Sequence, residues 1–409
     1  MRTPLFLTIA ATTALAACNT GPKTDANGFV IDADFEKKLQ QQLLDAGPGT
    51  VITIPAGKYA LSRSLSLTSN GVTVRGAGMD KTILSFAHQT SGAEGMLVTG
   101  DDFTLQDLAL EDSKGDALKI NGTTNAVMRR VRAEWTGGAK TSNGAYGLYP
   151  VQVTNVLIEG SVVKGASDAG IYVGQSTNIV VRGNRAEGNV AGIEIENSSH
   201  ADVYDNTTTG NTGGILVFNM PNLPVPGSKT RVFKNIVKAN NHANFGAAGS
   251  AVSSVPPGSG IIVNSNDDVE IFANDIADNK TANVIISSYY STGFDTKKGI
   301  AAAYDPYPEN IYVTGNDFSG GGTDPGTKYA PLKALAGGQL PAVLWDGFRN
   351  PKVASPGICV QNGDAKLLNA DGPNKFAHAR IDPDVNCAPA TRLPGVTLPA
   401  SMTKDRGTP

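Results

Sequence analysis

Four side chains with acid–base chemistry stand in matching places along the chain, each between two apolar residues. They are a lysine, two tyrosines and a glutamate: Lys119, Tyr149, Tyr172 and Glu194. A lysine can neutralise a substrate carboxylate and so acidify the neighbouring C–H, while a tyrosine moves the proton. The four residues are therefore candidates for proton transfer at a carbon next to a carboxylate, provided that the fold brings them together.

The places match because the chain repeats itself. Units that begin two residues before their first inward apolar position start at residues 70, 101, 124, 154, 177, 199, 228, 267 and 309. The bare unit is 22 or 23 residues long, and longer units carry an inserted loop. Self-similarity at this period predicts a solenoid of stacked units.

Apolar residues alternate within each unit, as in Ile179-x-Val181 and Ile193-x-Ile195. Alternation of β-branched residues predicts short strands with one buried face. Between the strands lie Gly, Asn, Asp and Ser, which cannot sustain a helix and so exclude the leucine-rich repeat, a rival of similar period. Stacking about 4.8 Å apart joins the inward side chains into one core. The residue between two inward ones then points outward, which places the four candidates in one column, followed by Leu216 and Ile262.

One asparagine recurs at the same place in five units: Asn184, Asn206, Asn235, Asn274 and Asn316. Asparagine adopts the left-handed turn conformation readily, and its amide can hydrogen-bond to the equivalent residue above and below. We therefore predict a structural ladder of asparagines in left-handed turns, with no role in binding a ligand.

These units resemble the coils of a right-handed parallel β-helix of the pectin-lyase-like superfamily. The opening stretch at residues 50 to 59 (TVITIPAGKY), followed by residues 71 to 76 (GVTVRG), is similar to the first coils of that superfamily. The chain as a whole also resembles bacterial β-helix lipoproteins of unassigned activity. The resemblance implies an all-β, single-stranded right-handed solenoid over residues 29 to 320.

Residues 146 to 151 (YGLYPV) are similar to the Tyr-Gly-x-Asp-Pro-His motif of mannuronan C5-epimerases. Tyr146 matches the family's tyrosine, whereas Tyr149 and Val151 stand where the family has its aspartate and histidine. The resemblance implies lyase or epimerase chemistry on uronic-acid polysaccharides. Lys119, Tyr146, Tyr149 and Glu194 are then the catalytic candidates.

Further residues stand close to the column in sequence. Tyr172 is expected to bind substrate together with Asp168, Glu196 and His200, which precede or follow the column strands. A simpler interpretation is an ordinary polar outer face, because exposed tyrosine and lysine are common on strands. A calcium site would need several carboxylates converging on one face, so we predict no metal and no cofactor.

The N-terminal residues predict export and lipid anchoring. Residues 1 to 17 contain Arg2 and an apolar run of the kind found in signal peptides, and the sequence Leu15-Ala16-Ala17-Cys18 matches the bacterial lipobox. This match implies cleavage before Cys18 and acylation of that cysteine. Residues 18 to 28 would be a tether, followed by a short helix. The spacing of Phe35, Leu39 and Leu43, together with Leu44, predicts that this helix caps the first coil.

The C-terminal residues 321 to 409 lose the repeat and are rich in proline, which predicts an irregular tail that wraps or caps the last coil. Cys359 and Cys387 are the two thiols that remain after acylation of Cys18. In an oxidising periplasm we expect them to form a disulfide.

The formal net charge of −3 offers no basic face for nucleic acid. We expect a protein of the bacterial cell envelope, facing the periplasm or on the outer membrane, that binds an acidic polysaccharide. Modification of that polysaccharide is the further step of the hypothesis. The alternative is a non-catalytic scaffold that holds a protein partner, for which the lipoprotein resemblance suggests an envelope c-type cytochrome.

Overall fold

The computed structural model describes residues 22–292, 304–382 and 392–404. Within these ranges the chain winds into a parallel β-helix, and a typical coil contributes a long and a short strand to one sheet and a single strand to another. We call the second sheet the site sheet. Helices are few and lie at Phe35–Asp45, Gly326–Leu335 and Ala400–Thr403, with 3-10 turns at Ala251–Ser254, Tyr289–Ser291 and Gly372–Asn374.

The larger sheet has 19 strands and the site sheet has 12. The strands of the larger sheet are Val51–Thr53, Gly57–Ala60, Thr73–Arg75, Thr82–Ser85, Thr104–Glu111, Thr124–Glu134, Thr154–Glu159, Val162–Lys164, Thr177–Arg182, Arg185–Glu187, Ser199–Tyr204, Thr207–Thr209, Ser228–Phe233, Ile236–Lys238, Asp267–Phe272, Asp275–Ala277, Glu309–Thr314, Asp317–Ser319 and Cys359–Gln361. Those of the site sheet are Arg63–Leu67, Ser91–Val98, Leu118–Asn121, Tyr146–Val151, Ala169–Gly174, Ala191–Glu196, Gly213–Phe218, Ser259–Asn264, Ala282–Ser287, Val343–Trp345, Leu367–Asn369 and Arg380–Asp382.

The predicted repeat is confirmed by the strand register. Seven of the predicted unit starts pair with one another in order, namely Thr124, Thr154, Thr177, Ser199, Ser228, Asp267 and Glu309. Pairing of Thr73 with Thr104, and of Thr104 with Val127, places the two earlier units in the same register. The hydrophobic alternation fixes this register, because a slip by one residue would turn every buried side chain outward.

The barrel interior is a single aliphatic core. Ile171, Ile193, Ile215 and Ile261 stack in successive coils of the site sheet and are completely buried. Burying each such side chain stabilises the fold by about 1.5–3 kcal/mol relative to leaving it in water. Repetition of the same residue type at the same position therefore makes the core continuous along the axis.

The predicted asparagine ladder is present. At each step of the ladder, the side-chain oxygen of one asparagine accepts a hydrogen bond from the side-chain amide of the asparagine one coil earlier. The ladder runs through Asn184, Asn206, Asn235, Asn274 and Asn316. Their conformation was predicted wrongly, however. None of the five has a positive φ; the residue just before each of them does: Gly183, Asp205, Lys234, Ala273 and Gly315.

A second buried ladder escaped the sequence analysis. Asn189, Asn211, Asn240 and Asn279 donate side chain to side chain over 2.9–3.2 Å from coil to coil. A file of glycines in the site sheet makes room for them. A Cβ on Gly170 would lie 2.8 Å from Asn189 Nδ2, and those on Gly192, Gly214 and Gly260 would meet the next ladder amides at 2.9–3.0 Å. The recurring Gly-Ile pair of the sequence thus supplies two consecutive inward positions, one of them without a side chain.

The N-terminal helix closes the first coil, as predicted. Leu39 and Leu43 belong to the barrel core, and Phe35 stacks on Tyr59 with ring centroids 3.8 Å apart. Leu44 was wrongly assigned to the cap: it is 58% exposed on the opposite side of the helix. Residues 1 to 17, including the predicted signal peptide, and Cys18 lie outside the described residues.

The parallel stacking continues beyond residue 320, so the predicted boundary at 320/321 falls too early. Val343–Trp345 pairs with Ala282–Ser287 and is followed by Leu367–Asn369, while Cys359–Gln361 extends the larger sheet. Long insertions hide these coils from a periodicity search. Cys387 lies outside the described residues, so the disulfide remains a prediction. Across the described ranges, none of the helices has both the length and the apolar character needed to cross a bilayer.

The last described segment, residues 392–404, runs back along the outside of the larger sheet instead of capping the final coil. The Leu393 N–H donates to Glu270 at 2.9 Å and the Val396 N–H donates to Asp202 at 3.0 Å. Near its end, Met402 accepts from the Arg129 guanidinium at 2.9 Å. We call this segment the strap. It spans the six coils that begin at residues 124, 154, 177, 199, 228 and 267.

Candidate functional site

The predicted column exists on the outer face of the site sheet. Lys119 pairs with Tyr149, Tyr172 with Glu194, and Glu194 with Leu216, in register from coil to coil. The column side chains point away from the barrel core, because the residues on either side of each point inward. The sequence therefore placed these residues on the correct face and in the correct order.

Three tyrosines form a compact cluster at this position. Tyr146 lies 4.5 Å from Tyr149 and 4.4 Å from Tyr172, and Tyr149 meets Tyr172 edge-on at 5.0 Å between ring centroids. Tyr146 joins the cluster because Gly147 and Leu148 both face inward, so that residues three apart share the outer face. The Lys119 ammonium lies 5.1 Å above the ring of Tyr149, within the range of a cation–π contact.

Carboxyl groups surround the tyrosines. The Tyr172 hydroxyl donates to Glu196 Oε1 at 2.6 Å, and Glu194 shares a hydrogen bond with Glu196. The Tyr146 hydroxyl donates to Asp168. We call these three carboxyl groups and the three tyrosines the tyrosine–carboxyl cluster.

Asp116 belongs to the same site and was missed in the sequence analysis. Its Oδ1 accepts the backbone N–H of Tyr146 at 3.2 Å, and its charge interacts with that of Lys119. A signal for it was present in the sequence: Asp116 stands three residues before Lys119, as Tyr146 stands three residues before Tyr149. Once Tyr146 was placed at the site, the same offset in the preceding coil would have identified Asp116.

Burial raises the pKa values of the carboxyl groups of this site toward neutral pH. Burial, followed by repulsion from Glu196 and Asp116, raises the pKa of Asp168 to about 7. Burial also raises the pKa of Asp116 to about 6. The pKa values of Glu194 and Glu196 are raised by burial as well, so this pair binds protons more tightly than exposed glutamates do.

The tyrosine hydroxyls, by contrast, keep their protons at neutral pH. Burial, with the nearby charge of Asp116 second, raises the pKa of Tyr149 to about 12. Burial and the surrounding carboxylates raise the pKa values of Tyr146 and Tyr172 still further. At neutral pH the tyrosines are therefore hydroxyls, and Asp116 and Asp168 are the groups that exchange protons with solvent or substrate.

The site has an accessible layer and a buried layer. Lys119, Tyr146 and Tyr149 are half-buried and face solvent, as are Asp116 and Asp168. By contrast, Tyr172 is 5% exposed and Glu194 is 2% exposed. Sequence reasoning expected all four column residues within reach of a bound chain. In the structure the buried members support the accessible ones from beneath.

The proline-rich loop after residue 218 helps to bury this layer. Asn197 accepts the Met220 N–H at 2.7 Å and donates to the Val225 carbonyl at 2.9 Å, which fixes the loop beside Glu196. Met220 packs against the apolar group that contains Tyr172. These contacts make the loop a wall beside the buried layer.

His200 takes a different place from the other candidates. It is exposed on the first residues of the next strand of the larger sheet, and its Nδ1 lies 3.4 Å from Ser199 Oγ. The structure does not bring it to the tyrosine–carboxyl cluster. Within the described ranges, no three Asp, Glu, His or Cys side chains are arranged to hold a metal ion.

A family model for the right-handed β-helix region matches residues 70–225 and 139–318. Together these cover more than half of the chain, and the protein belongs to this family. No curated protein matches the chain.

Among solved structures, the A-modules of the mannuronan C-5 epimerases AlgE4 and AlgE6 of Azotobacter vinelandii are 18% and 16% identical. The AlgE4 module has a TM-score of 0.47, with 77% of this chain and 86% of the module covered. For the AlgE6 module the values are 0.49, 80% and 87%. An alginate lyase from Paenibacillus sp. str. FPU-7 is 15% identical, with a TM-score of 0.40 and coverage of 70% and 96%. Likeness at this level says nothing about activity.

Proposed function

We propose that the protein binds an extended acidic polysaccharide across Lys119, Tyr146 and Tyr149. The observation that carries the proposal is the position of Lys119. Its ammonium lies over an accessible tyrosine ring, and within the described residues it has no salt bridge to a carboxylate. A uronate ring offers a C–H face for the tyrosines and a carboxylate for the ammonium, so one sugar residue satisfies both.

The tyrosine–carboxyl cluster can accept an anionic ligand although it contains several carboxyl groups. Because burial raises the pKa values of Glu194 and Glu196, this pair carries less negative charge than two exposed glutamates. Asp168 and Asp116 are protonated for part of the time near neutral pH and can then donate to a sugar hydroxyl or carboxylate. Binding of a polyuronate should therefore strengthen as the pH falls from about 8 to about 5, because the sugar carboxylates remain ionised.

The same groups support proton transfer at the carbon next to the uronate carboxylate. Lys119 would neutralise that carboxylate and acidify the C–H. Asp168, with a pKa of about 7 and a hydrogen bond from Tyr146, would accept the proton. The Tyr149 hydroxyl would supply a proton either to the leaving glycosidic oxygen, as in a lyase, or to the opposite face of the carbon, as in an epimerase.

The proposal includes a place in the cell. Lipid attachment at Cys18 after removal of residues 1 to 17 would hold the β-helix at the bacterial cell envelope, on its periplasmic side or on the outer membrane. A lipid-anchored protein would meet its polymer there.

The test is to incubate the purified protein with alginate and with pectate. Binding is measured by calorimetry, eliminated product by absorbance near 235 nm, and epimerisation by NMR of sugar composition. Lys119→Ala should abolish turnover and weaken binding at least tenfold. Lys114→Ala is the matched control, because Lys114 is an exposed lysine of the same unit that lies outside the column.

Turnover that survives Lys119→Ala would refute the assignment of the site. If the wild-type protein binds neither polymer, the alternative of a non-catalytic scaffold takes its place. Capture experiments with envelope c-type cytochromes would then be the next measurement.

A further inference from the structure

A second concave site lies further along the face of the site sheet. It is a cleft of ≈ 420 Å³ bordered by the helix Gly326–Leu335 and by the segments that follow the later strands. We call it the distal cleft. Its walls include four aromatic side chains and two lysines: Tyr290, Lys328, Tyr329, Phe348, Lys375 and Phe376.

The aromatic walls offer a flat stacking surface. Tyr290 and Phe348 stack with ring centroids 5.4 Å apart and an interplanar angle of 28°, and Tyr290 is 41% exposed. Tyr329 packs its ring against the apolar cluster on the outer face of the sheet. A ligand that inserts a ring here would replace water on an apolar surface, a contact that aromatic side chains favour.

Two lysines give the cleft a positive charge. Lys328 donates to the Ser291 carbonyl at 3.3 Å and lies 5.2 Å from the ring of Tyr329. Within the described residues neither Lys328 nor Lys375 has a carboxylate within salt-bridge distance. Burial lowers the pKa of Lys328, and the charge of Asp346 acts in the opposite direction.

Asp346, at the floor of the cleft, acts on Lys328 through its charge but forms no salt bridge with either lysine among the described residues. Its Oδ2 accepts the Ser288 N–H, the Ser288 hydroxyl and the Ser291 hydroxyl at 2.7–2.8 Å, and its Oδ1 accepts the Phe348 N–H at 3.1 Å. Four donors thus occupy the carboxylate, which holds the cleft walls in place. The open cationic positions point to an anionic ligand.

A small separate cavity lies between the distal cleft and the tyrosine–carboxyl cluster. Its volume is ≈ 40 Å³, and its lining includes Ile285, Ser287 and Lys328, which also line the cleft, and Phe218. Phe218 is the register partner of Glu196 in the next coil. From Glu196 to Ser287 the path crosses three coils, or about 14 Å.

We propose that the distal cleft is a second binding site for a uronate residue of the same polysaccharide. The ring would stack on the exposed side of Tyr290, whose other side packs on Phe348, and the carboxylate would lie between Lys328 and Lys375. This inference rests on the proposed function, which it extends by naming where the chain is held away from Lys119. Four lining residues, Ile285, Ser287, Tyr290 and Ser291, lie within the residues that the family model matches, and the other nine lie beyond residue 318.

The experiment measures calorimetric affinity of the full chain for oligouronates from two to eight residues. Lys328→Gln should weaken binding of the longest oligomers about tenfold and leave the melting temperature unchanged. Phe348→Ala should give a similar loss. Lys333→Gln is the control on the same helix, because Lys333 donates to the Thr323 carbonyl at 2.7 Å and does not line the cleft. It should bind within twofold of wild type.

The outcomes separate the two proposals. If Lys119→Ala abolishes binding and Lys328→Gln changes the affinity for long oligomers by less than twofold, the distal cleft is refuted and the first site stands. If Lys328→Gln weakens binding and Lys119→Ala does not, the reverse holds. If the wild-type chain binds no oligouronate, both proposals are refuted.

Discussion

Removing one amide from the asparagine ladder tests how strongly buried hydrogen bonds join the coils. Asn206 is 1% exposed, and its Oδ1 accepts both the backbone and the side-chain N–H of Asn184 at 3.0 Å. Its Nδ2 donates to the Val181 carbonyl and to Asn235 Oδ1, each at 2.9 Å. The substitution Asn206→Ala removes all four bonds and is too small to replace any of them.

The expected loss follows from the groups left without a partner. The Asn184 backbone N–H, one Asn184 side-chain N–H and the Val181 carbonyl are each orphaned, whereas Asn235 Oδ1 still accepts the backbone N–H of residue 206. An unsatisfied buried polar group costs about 1–3 kcal/mol. Three such groups sum to about 3–9 kcal/mol, so we expect Asn206→Ala to lower the free energy of unfolding by at least about 3 kcal/mol.

The same coil supplies a matched control. Thr208 is fully buried, and its hydroxyl has no hydrogen-bond partner among the described residues. Thr208→Val keeps the shape and removes the unsatisfied group, so it should stabilise the protein by about 1 kcal/mol. Urea unfolding followed by far-UV circular dichroism and tryptophan fluorescence measures both variants. A loss below about 1 kcal/mol for Asn206→Ala, or a destabilised Thr208→Val, would refute the reasoning.

Three further predictions concern pH, charge and packing. Because the folded-state pKa of Asp168 is raised to about 7 from an ordinary 3.8, the native state binds this proton more tightly than the unfolded chain. The melting temperature should therefore fall as pH rises from about 4 to about 7, and Asp168→Asn should flatten that fall. Arg231→Gln leaves Asp202, whose side chain is 7% exposed, without its partner at 2.6 Å and should cost about 3 kcal/mol in urea unfolding; a loss below 1 kcal/mol would contradict this. Gly192→Ala should lower the free energy of unfolding by about 1–3 kcal/mol, because its Cβ would lie 2.6 Å from a backbone oxygen. Gly47→Ala should be neutral, because no atom lies within 4 Å of its Cβ. Equal urea midpoints for the two variants would disprove the packing argument.

The fold was largely predictable because the hydrophobic alternation of a solenoid is local and repeated. Each unit start between residues 124 and 309 falls in register, and the outward column follows from the same pattern. Leu44 was misassigned because the helix presents a narrower apolar stripe than its four large apolar residues suggest. The later coils were missed because insertions longer than the unit interrupt the period.

The sequence predicted the position of the candidate site but not the burial and pKa values of all its residues. Alternation placed Lys119, Tyr149, Tyr172 and Glu194 on one face, yet it could not show that the last two are covered. Their burial depends on inserted loops, whose paths no periodicity encodes. The proton affinity of Asp116 follows from that burial and was equally out of reach.

The strap has a consequence for the order in which the molecule is completed. Coils of a solenoid leave the ribosome one after another, but the strap, which covers the side of the first of these six coils, is made only after all six. Until then, the guanidinium groups of Arg129 and Arg231 lack the carbonyls of Met402 and Leu393. A protease that removed residues 392–404 would uncover the outer face of all six coils together.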